Sequence, residues 1–131
     1  MLFRSGRENS SGTYEYFKEH VLEGGDFAAA VQTLPGTAAV VNAVAQDPFG
    51  IGYGGAAYAK GVREVGVKKT DADNPVMPTA DDVRSGAYPI SRDLYFYTKA
   101  APEGGMKAFV DYALSDSGQA VVSEVGYFRA R

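Results

Sequence analysis

Apolar residues early in the chain recur at the spacing of an amphipathic helix. Three of them stand at i, i+3 and i+7, on one face at 3.6 residues per turn: Tyr14, Phe17 and Val21. A helix is therefore predicted over residues 12–22, with Ser10 or Ser11 as its N-cap and a glycine pair just past its end. A second helix is predicted over residues 38–46, where Thr37 supplies the cap.

Shorter apolar runs are predicted to be strands. They cover residues 1–3, 62–67, 92–98 and 50–53, and the strand at 50–53 is expected to be buried. The run at 92–98, rich in aromatic residues, carries the strongest strand pattern. The remaining helices are predicted over residues 56–60, 80–85 and 104–114, followed by a last helix that Asp116 or Ser117 caps. Strands that alternate with helices in this way indicate a single α/β domain over residues 1–131.

Composition and charge exclude several classes of function. The chain has 131 residues, of which 45% are apolar, and a formal net charge of -3. An acidic balance of this kind argues against nucleic acid as a partner. No apolar run approaches the ~20 residues of a membrane-spanning helix. Because the chain contains no cysteine, disulfides, thiolate zinc sites and a cysteine nucleophile are excluded.

A stretch rich in polar residues comes directly before the first predicted helix. A helix N-terminus leaves several backbone N–H groups unpaired and carries about half a positive charge. Ser11 and Thr13 add hydroxyl groups there, and Gly12 lets a ligand approach the backbone. Arg7, four residues before Ser11, offers a planar set of donors that suits a tetrahedral oxyanion. The same residues also suit an ordinary cap beside a solvated arginine, and spacing alone leaves both interpretations open.

Other residues with reactive or ligating side chains have simpler interpretations. His20, the only histidine, has no recognisable partner and is predicted to be a surface residue of the first helix. The glycines at 52–55 lack phosphate-loop spacing and are predicted to form a turn. The aromatic residues 95–97 are predicted to lie in a buried strand rather than to stack on bases. Four aspartates lack the spacing of a calcium loop and suit a solvated loop: Asp71, Asp73, Asp81 and Asp82.

Several longer segments point beyond these local patterns. They are RENSSGTYEYF at 7–17, LPGTAAVVNAVAQDPFGIGYGG at 34–55, PTADDVRSGAYPISRDLYFYTK at 78–99, FVDYALSDSGQAVV at 109–122 and the closing VGYF. In this order they resemble the second half of the periplasmic phosphate-binding proteins of phosphate ABC transporters. The resemblance implies an α/β fold that forms one lobe of a type II periplasmic binding protein, with C-terminal helices that normally belong to the other lobe.

The resemblance also implies a phosphate site on this chain. In the family, an arginine followed four positions later by Ser-Gly-Thr belongs to the phosphate site, and this motif falls here on Arg7, Ser11, Gly12 and Thr13. Many relatives have an aspartate two positions after the arginine, where it helps to orient the guanidinium. Asn9 stands at that position here, with Glu8 beside it, so the residue that orients Arg7 is left open.

The family's role, carried over to this chain, is capture of inorganic phosphate outside the cytoplasm, followed by docking on a membrane ABC permease. It implies no cofactor and no covalent chemistry, so the chain is not expected to be an enzyme. The opening residues contain no signal peptide and resemble a cut fragment more than a natural start. The alternatives are a binding protein for sulfate, molybdate or tungstate, and a regulatory domain that kept the fold without transport.

The resemblance further implies what this half lacks. In the family, the first half supplies another capped helix and an aspartate that accepts the proton of hydrogen phosphate. We therefore expect weak phosphate binding by this chain alone, since exposed charged contacts are each worth little. The C-terminal helices are expected to leave apolar side chains partly exposed, which favours self-association or folding back onto the lobe: Phe109, Val110, Val121, Val125, Tyr127 and Phe128.

Overall fold

The computed structural model describes residues 3–130, in two compact units that divide between Val65 and Gly66. The prediction of a single domain over residues 1–131 stays a prediction. Residues 1 and 2 of the predicted first strand lie outside the described part of the chain. Over residues 3–130, every helix is too short or too polar to span a bilayer.

The first unit is built on a small parallel sheet. Its elements in chain order are β1 (Phe3–Arg7), α1 (Gly12–His20), β2 (Val31–Leu34), α2 (Gly36–Gln46), β3 (Gly50–Gly52) and a 3₁₀ turn (Ala56–Tyr58). β1 pairs in parallel with β2, where Arg7 lies opposite Leu34, and in parallel with β3, where Ser5 lies opposite Gly52. Because α1 and α2 each begin just after a strand, both helix N-termini lie at the carboxyl edge of the sheet.

The order of the strands marks a position for a ligand. The sheet has the order β2-β1-β3, so the chain goes from β1 to one side and then crosses to the other. In open parallel sheets, ligands bind outside the carboxyl ends of the strands where the winding reverses in this way. The loops that follow β1 and β3 are therefore the expected walls of a binding site.

Close packing of aromatic rings and small residues holds α1 and α2 against the sheet. The rings of Phe17 and Tyr53 stack with centroids 4.1 Å apart, and Phe27 lies 5.8 Å from Tyr53. On α2, Val40 is only 2% exposed. A Cβ added to Gly52 would stand 2.7 Å from Val40 Cγ1, so only glycine lets α2 approach β3 this closely. This packing places the start of each helix relative to the strand edge.

The second unit is helical. It contains α3 (Ala80–Arg84), α4 (Gly104–Leu114) and α5 (Asp116–Glu124). Val67 and Val76 form an isolated antiparallel bridge. The turn from α4 into α5 is tight: Gln119 Nε2 donates to the Ala113 carbonyl at 2.9 Å, and Gly118 is buried beside α4.

Most helices match the sequence predictions. The α4 bounds are as predicted, α3 begins at the predicted residue 80 with Thr79 as its cap, and α1 begins after Ser11 but ends two residues early. The predicted exposure of the C-terminal apolar side chains is also confirmed: Phe109 is 60%, Val121 48% and Val125 60% exposed.

Two predicted strands are wrong. Residues 62–67 form only the single bridge at Val67, and residues 92–98 have no strand structure although their pattern is the strongest in the chain. Tyr97 is 91% exposed, so the prediction of a buried aromatic strand there is wrong as well. A strand is stable only when a neighbour pairs with it, and within residues 3–130 this segment pairs with no strand. Conversely, β2 was not predicted because its four residues show no clear alternation.

The caps of two helices, the type of one short helix and the burial of one strand also differ from prediction. The N-cap of α2 is Pro35, so Thr37 lies inside the first turn and is not the cap. Ser115, rather than Asp116 or Ser117, caps α5 because its hydroxyl accepts from the Gly118 N–H. The predicted helix at 56–60 is a single 3₁₀ turn. The strand predicted at 50–53 is β3, but Ile51 is 48% exposed rather than buried.

Candidate functional site

The loop between β1 and α1 carries the candidate residues identified from the sequence. Arg7 is the last residue of β1, and Gly12 is the first residue of α1. Two backbone hydrogen bonds shape the loop between them: the Glu8 N–H donates to Leu34 at 3.3 Å, and the Ser11 N–H donates to Glu8 at 3.0 Å. The loop is therefore short, tied to the neighbouring strand and fixed at the sheet edge.

Ser11 caps α1 and is only 8% exposed. Its Oγ accepts from the Thr13 N–H at 3.1 Å. A hydroxyl that accepts one hydrogen bond still has its own proton to donate. Ser11 can thus donate to a ligand, whereas the Thr13 backbone N–H is already engaged and only the Thr13 hydroxyl remains for binding.

Gly12 occupies the first position of α1 and is exposed. The backbone N–H of a first helical residue has no partner within the helix, and it points along the positive end of the helix dipole. This N–H and the hydroxyl of Ser11 are next to each other in the chain, which gives the start of α1 two adjacent donors for an anion.

The Arg7 side chain crosses from β1 to the start of α2. Its Nη1 donates to Thr37 Oγ1 at 2.7 Å. Its Nε is buried and has no hydrogen-bond partner among the residues that the structure describes. A buried donor without an acceptor costs about 1–3 kcal/mol, so such groups in native proteins usually face a ligand or an ordered water.

Tyr53, which follows β3, contacts the backbone of Arg7. The Arg7 backbone N–H donates to Tyr53 Oη at 3.3 Å. Burial raises the pKa of the Tyr53 phenol above its ordinary value of 10.0, and the hydrogen bond from Arg7 opposes this change. The phenol is therefore neutral at physiological pH and acts at this site as an acceptor for the backbone of Arg7.

Thr37 is the residue of this site that the sequence interpretation placed differently. It is 9% exposed, lies in the first turn of α2 and contacts Arg7 rather than capping its own helix. A Cβ added to Gly54 would stand 2.4 Å from Thr37 Cγ2, so the glycine after β3 leaves room for this side chain. No local pattern indicates this contact, because it joins positions thirty residues apart through the unpredicted strand β2.

These contacts show which neighbours the Arg7 side chain has. In the described part of the chain, no ion pair joins Arg7 to Glu8, and Asn9 is exposed. The guanidinium instead binds the neutral hydroxyl of Thr37. Its positive charge is therefore not paired with a carboxylate inside the first unit.

The contacts of the other candidate residues suit a structural role. His20 is exposed, with its ring 4.2 Å from that of Tyr16. Asp73 accepts from the Thr70 N–H at 2.9 Å, and Asp82 accepts from the Thr79 hydroxyl at 2.6 Å. Within residues 3–130, no three histidine, aspartate or glutamate side chains gather in a group that could hold a metal ion.

Comparison with known proteins identifies the class of the fold. The sequence profile described as the PBP superfamily domain matches residues 5–117. Among solved structures, a phosphate-binding protein of a phosphate ABC transporter from Streptococcus pneumoniae superposes with a TM-score of 0.77 at 25% identity, over 99% of this chain and 52% of that one. The chain therefore belongs to the PBP superfamily, and the predicted α/β fold, covering about half of a binding protein, is confirmed.

Two curated relatives narrow the comparison further. The phosphate-binding protein PstS of Pseudomonas aeruginosa is 40% identical over an alignment of 127 positions, gaps included, that covers 93% of this chain and 39% of the relative. The protein SphX of Synechocystis sp. is 36% identical over an alignment of 135 positions, gaps included, that covers 96% of this chain and 39% of the relative. The chain thus spans about two fifths of the length of the curated relatives it matches.

Proposed function

We propose that this chain binds inorganic phosphate and forms part of the substrate-binding component of a phosphate ABC importer. The observation that carries the proposal is the Nε of Arg7, which is buried without a hydrogen-bond partner in the described residues, at the carboxyl edge of a parallel sheet and five residues before α1 begins. The names of the relatives support the choice of phosphate, since the Pseudomonas aeruginosa protein is a phosphate-binding protein.

The proposed contacts follow from the donors that the fold leaves unused. Arg7 supplies charge-assisted bonds, and Gly12 supplies a backbone N–H at the positive end of α1. Ser11 and Thr13 supply hydroxyl protons. No bond of the anion is made or broken in this arrangement, so the function is reversible capture rather than catalysis.

The partner and the location belong to the same proposal. A phosphate importer collects its substrate outside the cytoplasm and passes it to a permease in the membrane. The solved relative from Streptococcus pneumoniae is named as part of such an ABC transporter, which supports this placement. We propose a periplasmic or extracytoplasmic location and an ABC permease as the membrane partner.

Binding of phosphate by this chain alone is expected to be weak. Exposed charged contacts contribute about 0–1 kcal/mol each, so four of them give a Kd of about 1 mM or weaker, which corresponds to about 4 kcal/mol. Titration followed by two-dimensional ¹H–¹⁵N NMR measures this affinity through the Gly12 amide and the Arg7 Nε–H signal. A micromolar Kd for the monomer would contradict the expected weakness.

The same titration tests the function itself. Sodium chloride at matched ionic strength is the control, because a screened surface charge responds to both salts alike. If phosphate at concentrations well above that Kd moves neither the Gly12 amide nor the Arg7 Nε–H signal beyond the chloride control, the proposed site is wrong.

One observation favours other tetrahedral oxyanions as a second class of ligand. None of the four proposed residues is a carboxylate, the strong acceptor that would favour protonated phosphate over sulfate. Sulfate is therefore expected to bind this chain within about tenfold of phosphate, a difference of about 1.4 kcal/mol. Adding sulfate, molybdate or tungstate to the phosphate titration ranks the anions, and a strong preference for phosphate would exclude this alternative.

We also propose that the chain self-associates through apolar side chains of its second unit. Large apolar groups are exposed on α4, on α5 and in the aromatic segment, where Phe109 is 60%, Val125 60% and Leu94 73% exposed. Exposed apolar patches of this kind are usually covered in a soluble protein. In a solution of the purified chain, a second copy is the available cover.

Light scattering over a range of concentrations tests the self-association. The expected result is an apparent mass that rises with concentration and falls towards the monomer in Phe109→Lys. Phe49→Lys is the matched control, because Phe49 is an equally exposed aromatic residue, at 67%, in the first unit. A mass equal to that of the monomer at every concentration would contradict the proposal.

A further inference from the structure

One contact at the sheet edge extends the candidate site beyond the loop before α1. Arg7 Nη1 donates to Thr37 Oγ1 at 2.7 Å, and Thr37 lies in α2 rather than α1. We propose that Thr37 is a positioning residue of the oxyanion site, which acts by holding the Arg7 guanidinium in a binding orientation. This inference rests on the proposed function and adds a residue to that same site.

Fixing one nitrogen of the guanidinium orients the whole group. The guanidinium is planar and its N–H groups have fixed relative directions. When Nη1 is bound to Thr37, the directions of Nε and of the other terminal nitrogen are fixed as well. Nε is the nitrogen that is buried without a partner in the described part of the chain. A preorganised donor binds more tightly because less conformational freedom is lost on binding.

Thr37 is itself held rigidly. It is 9% exposed, and its Cγ2 faces Gly54 so closely that an added Cβ there would be 2.4 Å away. Threonine is β-branched, which restricts its χ1 angle in a helix. A buried side chain with a restricted rotamer is a suitable fixed point for the longer and more flexible Arg7.

The neutrality of Thr37 has a chemical consequence. A carboxylate partner would offset part of the guanidinium charge, whereas a hydroxyl partner orients Arg7 and leaves the positive charge available to an anion. In the described residues, the guanidinium of Arg7 makes no ion pair with Glu8, the nearest carboxylate in sequence. Thr37 thus orients Arg7 without competing with the ligand for the positive charge of the guanidinium.

The test compares two substitutions of Thr37 that differ in the hydroxyl group. Thr37→Val keeps the shape but removes Oγ1, and it is expected to weaken phosphate binding about five- to tenfold, the effect of one hydrogen bond. Thr37→Ser keeps the hydroxyl and is expected to recover most of that loss. Thr33→Val, at an exposed threonine of β2, is the matched control and should bind phosphate like the original chain.

Two readouts separate positioning from simple structural support. The first is the phosphate Kd from the Gly12 amide, and the second is the Arg7 Nε–H signal, which reports the orientation of the guanidinium directly. In Thr37→Val we expect this signal to change before any phosphate is added. If Thr37→Val does not fold, Thr37→Ala replaces it, because a smaller side chain cannot clash at Gly54.

The outcomes distinguish this inference from the proposed function. If neither the original chain nor any variant responds to phosphate, the proposed function fails, and this inference fails with it. If the original chain responds but the variants without the hydroxyl bind as tightly as it does, only the inference is overturned. Equal weakening in Thr37→Val and Thr37→Ser also overturns it, since the hydroxyl would then be irrelevant.

Discussion

Replacing Arg7 by alanine is expected to remove the response of this chain to phosphate. At up to about 1 kcal/mol for each of its two charged hydrogen bonds, the loss of Arg7 corresponds to a loss of up to about 30-fold in affinity. For a site that is already weak, the Gly12 amide would then no longer shift with phosphate. The NMR titration described for the original chain measures this directly.

Two further substitutions sharpen the Arg7 experiment. Arg63→Ala removes the same charge from an exposed arginine of the first unit and is expected to leave phosphate binding unchanged. Arg7→Lys keeps the charge but loses the planar set of donors, so it is expected to recover only part of the affinity. If Arg7→Ala still shows the original Kd, the proposed site is wrong. A chain that binds no anion in any variant would support the regulatory alternative.

Gly118→Ala is expected to destabilise the second unit strongly. A Cβ at this buried position would stand 2.1 Å from the Tyr112 carbonyl oxygen and 2.8 Å from Ala113 Cα. Both atoms belong to the backbone of α4, which cannot move without separating α4 from α5. Overpacking in a core typically costs about 1–3 kcal/mol, and the closeness of this contact places the expected loss near the upper end, about 3 kcal/mol.

The chain offers a matched control for this glycine. Gly105 lies in α4 with nothing within 4 Å of an added Cβ. Alanine there is expected to stabilise the helix by about 0.5–1 kcal/mol, because glycine loses more backbone freedom on folding. Urea unfolding followed by the helical circular dichroism signal compares the two variants. An unchanged midpoint in Gly118→Ala would show that the α4–α5 packing is not as close as described.

Helices of this protein were predictable because their signals are local. For α4, one apolar stripe over eleven residues sufficed for both ends. For α1 and α3, the caps Ser11 and Thr79 each accept from an N–H only two or three residues away. Such contacts join residues that are close in sequence, so they form wherever the segment lies in the fold.

The wrong and missing strand predictions have the opposite cause, because strand formation depends on distant residues. The segment 92–98 has strong β-propensity, yet pairing depends on a neighbour that a local pattern does not contain. The short strand β2 has a weak pattern, yet it pairs with β1 from Arg4–Val31 to Arg7–Leu34. Propensity describes how well a residue suits a sheet, and the available partner decides whether the strand forms.

The same difference between local and tertiary contacts applies to the candidate site. Sequence alone identified the candidate run from Arg7 to Thr13, because its donors lie close together in the chain directly before and at a predicted helix start. Only the tertiary structure decided what surrounds Arg7. Thr37 and Tyr53 reach it through parallel strand pairing and close packing at Gly54, which join residues thirty and forty-six positions away. Contacts over such separations depend on how the elements pack, and no spacing of neighbouring residues encodes them.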